Sequence, residues 1–163
     1  MPDRPALRLE RLLNRLAQAG VDFVVVGGIA MVAHGSGRST FDLDICYATD
    51  PANLQRLGDV LVELDAKLRG VPEQVPFVPD AQTLRRTVIL TLRTTDGDID
   101  LLVEPEGSPR YPQLKERAIR AELDGITVRI ASLNDLESMK RAVGRPKDLT
   151  DLQEIETIRR TAS

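Results

Sequence analysis

The sequence predicts an α+β fold: a mixed β-sheet of about five strands, with helices packed against it and two helices at the C-terminal end. Three observations carry this expectation. Residues 21–28, VDFVVVGG, form a short apolar run rich in β-branched residues and stopped by glycine, as a buried strand does. Residues 85–104 hold two strand-like stretches joined through Thr95, Asp96 and Gly97, and Asp-Gly is a strong hairpin signal. From Ser132 onward apolar residues recur at helical spacing, with a break at Gly144 and Pro146. The 163 residues are expected to form one domain, with a core over about 1–131 and a C-terminal helical segment over about 132–163.

The elements follow in order. Leu9, Leu12, Leu13 and Leu16 fall on one face of an amphipathic helix that Gly20 can end. After the strand at 21–28, IAMVAHG reads as a short helix opening from Gly28, and FDLDICYA as a second strand. Asp50 is placed to cap a helix that has Pro51 in its first turn and carries Leu54, Leu57, Leu61, Leu64 and Leu68 before stopping at Gly70. Residues 71–80, VPEQVPFVPD, hold three prolines, which forbid regular structure and make an extended connection suited to the border of a cleft. The two hairpin strands should pair antiparallel. A short helix around Tyr111 to Arg120 and a strand in GITVRIA lead to the C-terminal helices, the first opened by the capping box of Ser132 and Asp135.

Composition excludes several classes of function. With 42% apolar and only 3% aromatic residues, the core must be aliphatic, and no aromatic series is available to stack single-stranded bases. A formal charge of -3 gives no global basic footprint, so any contact with nucleic acid has to be local. One cysteine, Cys46, and one histidine, His34, exclude a disulfide framework and argue against a Cys/His metal site. The first twenty residues are too charged for a signal peptide, and no apolar run approaches a membrane span, so a cytoplasmic location without membrane contact is expected.

The chemistry points elsewhere, to carboxylates. Alternation along a strand puts Asp42 and Asp44 on one face and Leu43 and Ile45 on the other, and the same parity joins Asp98 and Asp100. Should those strands be neighbours, three or four carboxylates converge, a charge density that one or two Mg²⁺ ions would neutralise. Two metals are a usual means of holding both the attacking and the leaving oxygen in a displacement at phosphorus. A solvated strand end is the plain alternative for Asp-Leu-Asp alone. Gly27 and Gly28 change the weighing, because a glycine step at a strand-to-helix junction lets backbone N–H groups approach a triphosphate, and thirteen residues later the chain returns with Asp42.

These residues together resemble the DNA polymerase β-like nucleotidyltransferase superfamily, whose signature is Gly-Gly or Gly-Ser, a short spacer, then Asp-hydrophobic-Asp. The resemblance is closest to the AbiEii-type branch of nucleotidyltransferase-like toxins, in which Arg-x-Ser/Thr precedes the acids, here Arg38, Ser39 and Thr40, and a lysine-bearing helix precedes Gly-Arg-x-Lys-Asp-x-x-Asp, here Lys140 and then Gly144 to Asp151. It spans roughly Val21 to Ile155. It implies a nucleotidyltransferase fold and transfer of a nucleoside monophosphate from a nucleoside triphosphate to an acceptor hydroxyl, with pyrophosphate released. Asp42, Asp44 and Asp100 would hold two Mg²⁺, or Mn²⁺ in their place, and carry the catalysis. Gly27, Gly28, Arg38, Thr40 and Lys140 would bind the nucleotide. The third acid lies in GDIDLL, where Asp98 should sit near the hairpin end within reach of water and Asp100 further into the sheet.

The acceptor stays open: tRNA or a protein, an antibiotic of the aminoglycoside or lincosamide kind, or none at all in a non-catalytic nucleotide-binding module. An antitoxin partner or a second copy of the chain completing the site would fit the toxin-like branch. Several residues also carry two readings. Lys140 falls inside the apolar stripe of Leu133, Leu136, Met139 and Val143, where it either snorkels to solvent or reaches phosphate in the cleft. Asp148 and Asp151 are placed either to cap a helix or to enter the site, and His34 either packs or touches substrate. Cys46 is expected only to pack, and Arg85, Arg86 and Arg93 could steer an anionic acceptor.

Overall fold

Leucines at helical spacing and a run of valines in the first strand join in one buried core against a single sheet. In the computed structural model, which describes residues 6–72 and 76–162, the order is α1 (Leu9–Gln18), β1 (Phe23–Val26), α2 (Gly27–Ala33), β2 (Asp42–Tyr47), α3 (Pro51–Glu63), β3 (Lys67–Leu68) and α4 (Ala81–Arg85). There follow β4 (Ile89–Thr94), β5 (Gly97–Leu102), α5 (Tyr111–Arg117), β6 (Ile119–Leu123), β7 (Ile126–Ile130), α6 (Leu133–Val143) and α7 (Pro146–Ala162). The strands form one mixed sheet in the order β3-β4-β5-β2-β1-β7-β6. β2 runs antiparallel to β1 and parallel to β5, while β4 and β5 make the expected antiparallel hairpin. None of the described helices is long and apolar enough to cross a membrane.

The mixed α+β architecture agrees with the sequence, but the sheet has seven strands where about five were expected. Both missed strands have a physical reason. Leu68 continues the alternating three- and four-residue spacing of Leu54, Leu57, Leu61 and Leu64, yet the helix ends at Glu63, and Asp65 turns the chain at a φ of 51°. Lys67 and Leu68 then pair with Arg93 and Leu92, so the backbone bonds come from the sheet edge. The helix expected as far as Arg120 ends at Arg117, because residues 119–123 pair with β7 through a turn at Asp124 and Gly125, both at positive φ. Neither strand carries an apolar run that would announce it. Part of the proline-rich connection, residues 73–75, lies outside the described residues; 76–80 carry no regular structure, and the short helix α4, capped by Asp80, follows directly after it where no helix was expected.

Register places the two faces of the sheet. Leu43, Ile99 and Leu92 are cross-strand partners, as are Ile45, Leu101 and Leu90, and all six are buried on the helix-covered face. Residues between them necessarily face the other way. On that face Asp42, Asp98 and Arg93 make one row across β2, β5 and β4, and Asp44, Asp100 and Thr91 make the next.

Candidate active site

Asp44 is brought to the backbone of Gly27 by strand pairing, because Val26, the last residue of β1, lies opposite it. Gly27 has a φ of 68°, and a Cβ there would overlap the Oδ2 atom of Asp44. At Gly28 a Cβ would press on Oγ1 of Thr40 at 3.1 Å. The two glycines are thus what lets a chain reversal and a carboxylate occupy the same corner.

Asp42, Asp44 and Asp100 each offer a carboxylate oxygen, and these oxygens lie within 4.8 Å of one another. Parallel pairing of β2 with β5 makes the cluster, since Asp44 and Asp100 are register partners. Burial, followed by the charges of Asp100 and Asp42, pushes Asp44 up to about 8. Asp100 is also raised, by burial first and by Asp42, against the opposing pull of Arg69. Among the described residues no donor reaches Oδ1 of Asp44, a buried oxygen. A buried anion without a donor is costly, and a hard cation with oxygen ligands is the partner that suits such a set.

Asp98 behaves differently from the expectation that water would solvate it. It is fully buried, with Arg69 Nη1 3.4 Å and Arg93 Nε 3.6 Å from its oxygens. The hairpin turn does not expose it because Thr94 and Asp96 beside it are buried too, and Leu7 packs over Gly97. Arg69 bridges the two acids of the strand, its Nη2 lying 2.8 Å from Oδ1 of Asp100.

The C-terminal helices supply the facing wall. Lys140 is only 15% exposed, and its Nζ lies 2.8 Å from Asp151 and 3.6 Å from Asp148. Burial lowers its pKa, against the upward pull of Asp148. Arg38 ion-pairs with Asp151 and approaches Glu154 at 3.8 Å. Asp148 is not the N-cap of α7; it lies in the first turn and accepts from the backbone N–H of Arg145 at 3.0 Å and from its Nε at 2.9 Å. Hydrogen bonding from Arg145 holds its pKa down to about 2. Asp148 is thus not the N-cap the sequence suggested; it reaches back to the N–H of Arg145 just before α7, as the third residue of a capping box does, and ion-pairs with Lys140.

A cleft of about 830 Å³ joins these walls. Gly27, Gly28, Arg38, Thr40, Asp42, Asp44, Asp100, Lys140 and Asp151 all line it. Phe41, Arg145, Lys147 and Glu154 also line it; Arg145 and Lys147 belong to the motif from Gly144 to Asp151, whereas Phe41 and Glu154 carry no signal in the sequence. His34 is held by the carbonyl of Ala131, 2.8 Å from Nε2, which favours the packing reading. Cys46 is buried, and burial with the charge of Asp44 pushes its thiol up to about 12, which leaves it inert. Arg85 and Arg86 are exposed at the end of α4, whereas Arg93 reaches the sheet face.

A sheet of this order, with three clustered aspartates on neighbouring strands beside a glycine step, is that of a nucleotidyltransferase. The chain belongs to the family DUF6036, described as nucleotidyltransferase of unknown function, which it matches over residues 7–162. No curated protein matches the sequence. Three solved structures share the fold. The lincosamide antibiotic adenylyltransferase LnuA, bound to lincomycin, aligns with a TM-score of 0.60 at 12% identity, covering 94% of this chain and 99% of that one. The enzyme ANT(2")-Ia, in complex with adenylyl-2"-tobramycin, gives 0.57 at 14% identity over 95% and 87% of the two chains. An antigenic nucleotidyltransferase-like protein from Paracoccidioides brasiliensis gives 0.51 at 21% identity over 92% and 72%. At these identities the likeness is one of fold.

Proposed function

We propose that the protein transfers a nucleoside monophosphate from a nucleoside triphosphate to an acceptor hydroxyl, with Asp42, Asp44 and Asp100 as the metal-binding and catalytic acids. The observation that carries this reading is the cluster of three carboxylates, one with a buried oxygen that no donor among the described residues reaches, in a cleft that Arg38 and Lys140 also line. Two Mg²⁺, or Mn²⁺, held by the three acids would neutralise the charge that develops on the attacking and leaving oxygens. Arg38 and Lys140 bind the triphosphate, and Gly27 and Gly28 let it approach the backbone. Asp151, in contact with both cations, fixes their side chains, so Asp148 and Asp151 act as positioning residues.

In the reaction the acceptor oxygen bonds to the α-phosphorus, the bond to the β-phosphate oxygen breaks, and pyrophosphate leaves. The hydroxyl proton passes to a carboxylate oxygen of Asp100 and then to water. Catalysis is mostly positioning and electrostatics. Arg38-x-Thr40 and the stretch from Gly144 to Asp151 support the toxin-like branch, in which the acceptor is an RNA or a protein and an antitoxin or second copy is a partner. The fold shared with ANT(2")-Ia and LnuA supports a second acceptor class, a small antibiotic. Incubation with triphosphates labelled at the α- or γ-phosphate, Mg²⁺ and total cell RNA or protein tests the reading. Acceptor labelled from the α-position alone is expected; label from the γ-position would replace nucleotidyl transfer with phosphoryl transfer.

A further inference from the structure

Beside the acid cluster, on the side away from Gly27 and Lys140, lies a second cleft of about 540 Å³ whose lining includes Lys67, Arg69, Arg93, Phe77, Thr94 and Thr95. Register explains its charge. Asp42, Asp98, Arg93 and Lys67 are successive partners on β2, β5, β4 and β3, so one row across the open face changes from acid to base over strands about 4.8 Å apart. Arg69 is fixed one row further on, its N–H donating to the carbonyl of Thr91, and its guanidinium touches Asp100. The basic cleft therefore begins where the acid cluster ends.

Two of its cations are only loosely answered. Arg69 is held by Asp98 and Asp100, but Arg93, 41% exposed, stands 3.6 Å from Asp98, and the Lys67 side chain is 59% exposed. Lys67 approaches Asp65 at 3.9 Å, a separation worth little between exposed groups. Displacement at phosphorus is roughly in line, so the acceptor and the leaving pyrophosphate occupy opposite sides of the reacting atom. With the triphosphate beside Gly27 and Lys140, the acceptor falls on the side of Lys67, Arg69 and Arg93. Resting on the nucleotidyltransferase reading, we propose that this cleft binds a phosphate group of the acceptor, so that the molecule receiving the nucleotide is a phosphate ester. A polycationic aminoglycoside would meet the exposed cations of Lys67 and Arg93 there, and Phe77 and Leu68 offer the uncharged body of the acceptor an apolar surface.

The test is binding by the full chain, followed by fluorescence anisotropy of a short labelled single-stranded RNA, with ribose 5-phosphate and tobramycin as competitors and salt varied. The parent protein is expected to bind the RNA, with Lys67→Ala and Arg93→Gln each weakening it severalfold and lowering the salt slope by about one. Competition by ribose 5-phosphate assigns the site to any phosphate ester; its failure to compete assigns it to a polynucleotide. Either outcome supports the proposal. Lys67 is on the exposed edge, so its variant reads binding even if Arg93→Gln fails to fold. No RNA binding, or slopes unchanged in Lys67→Ala, overturns it. Binding of Mg²⁺ and a triphosphate, measured separately, distinguishes the failures: a parent that binds triphosphate but no phosphate ester loses only the acceptor assignment, and one that binds no triphosphate loses the reading beneath it.

Discussion

Two groups of carboxylates meet in one cleft and are held in opposite ways. Asp148 and Asp151, on α7, are buried against Arg38, Lys140 and Arg145, so their charge is answered within the chain. Asp42 and Asp44, on β2, face each other and Asp100, and among the described residues no lysine or arginine pairs with either. The consequence appears in proton affinity: Asp148 is held down to about 2 by Arg145, whereas burial and like charge drive Asp44 up to about 8. A protein does not gain stability from the second arrangement. The difference separates carboxylates that hold other side chains in place from carboxylates arranged to hold a cation from outside.

The comparison breaks first at Asp44. Asp44→Asn should lower nucleotidyl transfer by about a thousandfold, a barrier change of about 4 kcal/mol, while the metal-free variant melts no lower than the parent because one repelling charge is gone. Retention of most of the activity would remove Asp44 from the metal site. Asp98 tests whether burial alone makes an acid catalytic. Asp98→Ala should cost about 3 kcal/mol of stability in denaturant unfolding, since Arg69 and Arg93 lose a shared buried partner, with turnover per folded molecule falling by less than about tenfold. Asp100→Ala should reverse that pattern, and the opposite ranking in a paired assay would give Asp98 the catalytic role.

Lys140→Ala is expected to weaken triphosphate binding by about tenfold or somewhat more, near 1.4 kcal/mol, in titration with a non-hydrolysable analogue. It should also lower the melting temperature, because Lys140 answers Asp148 and Asp151. Unchanged affinity with lowered stability would make it a structural counter-ion only. The crowding of the acids also predicts a pH dependence. Asp44 has a folded pKa near 8, above its ordinary 3.8, so the folded state keeps a proton that the unfolded state has lost, and metal-free stability should fall as pH rises through that window. Asp44→Asn should flatten the fall, and Mg²⁺ should stabilise the parent more at pH 8 than at pH 5. A parent profile with no slope between these values would contradict the crowding of the three acids.

The Asp42 and Asp44 side of the cluster was legible in the sequence because it depends on short-range rules, whereas Asp100 joins it only through the parallel pairing of β2 with β5. Strand parity puts Asp42 beside Asp44, and Gly27 marks the chain reversal next to them. What could not be read is what long-range pairing decides. Arg69 follows a leucine stripe that mimics a continuing helix, and only the pairing of Lys67 and Leu68 with β4 carries it to Asp100. Asp98 was expected in water because the sequence locates the turn but not the packing of Leu7 over Gly97. Asp148 and Asp151 remained ambiguous because a helix cap and a buried counter-ion draw on the same residue type, and the choice depends on how α6 meets α7.

The most direct test of the central claim is a titration with Mn²⁺ followed by electron paramagnetic resonance of the free ion, on the parent, Asp44→Asn and Asp148→Asn. The account predicts that the parent and Asp148→Asn both bind the ion and that Asp44→Asn loses at least the tighter site. Equal binding by Asp44→Asn and the parent, or loss of binding in Asp148→Asn alone, would contradict it.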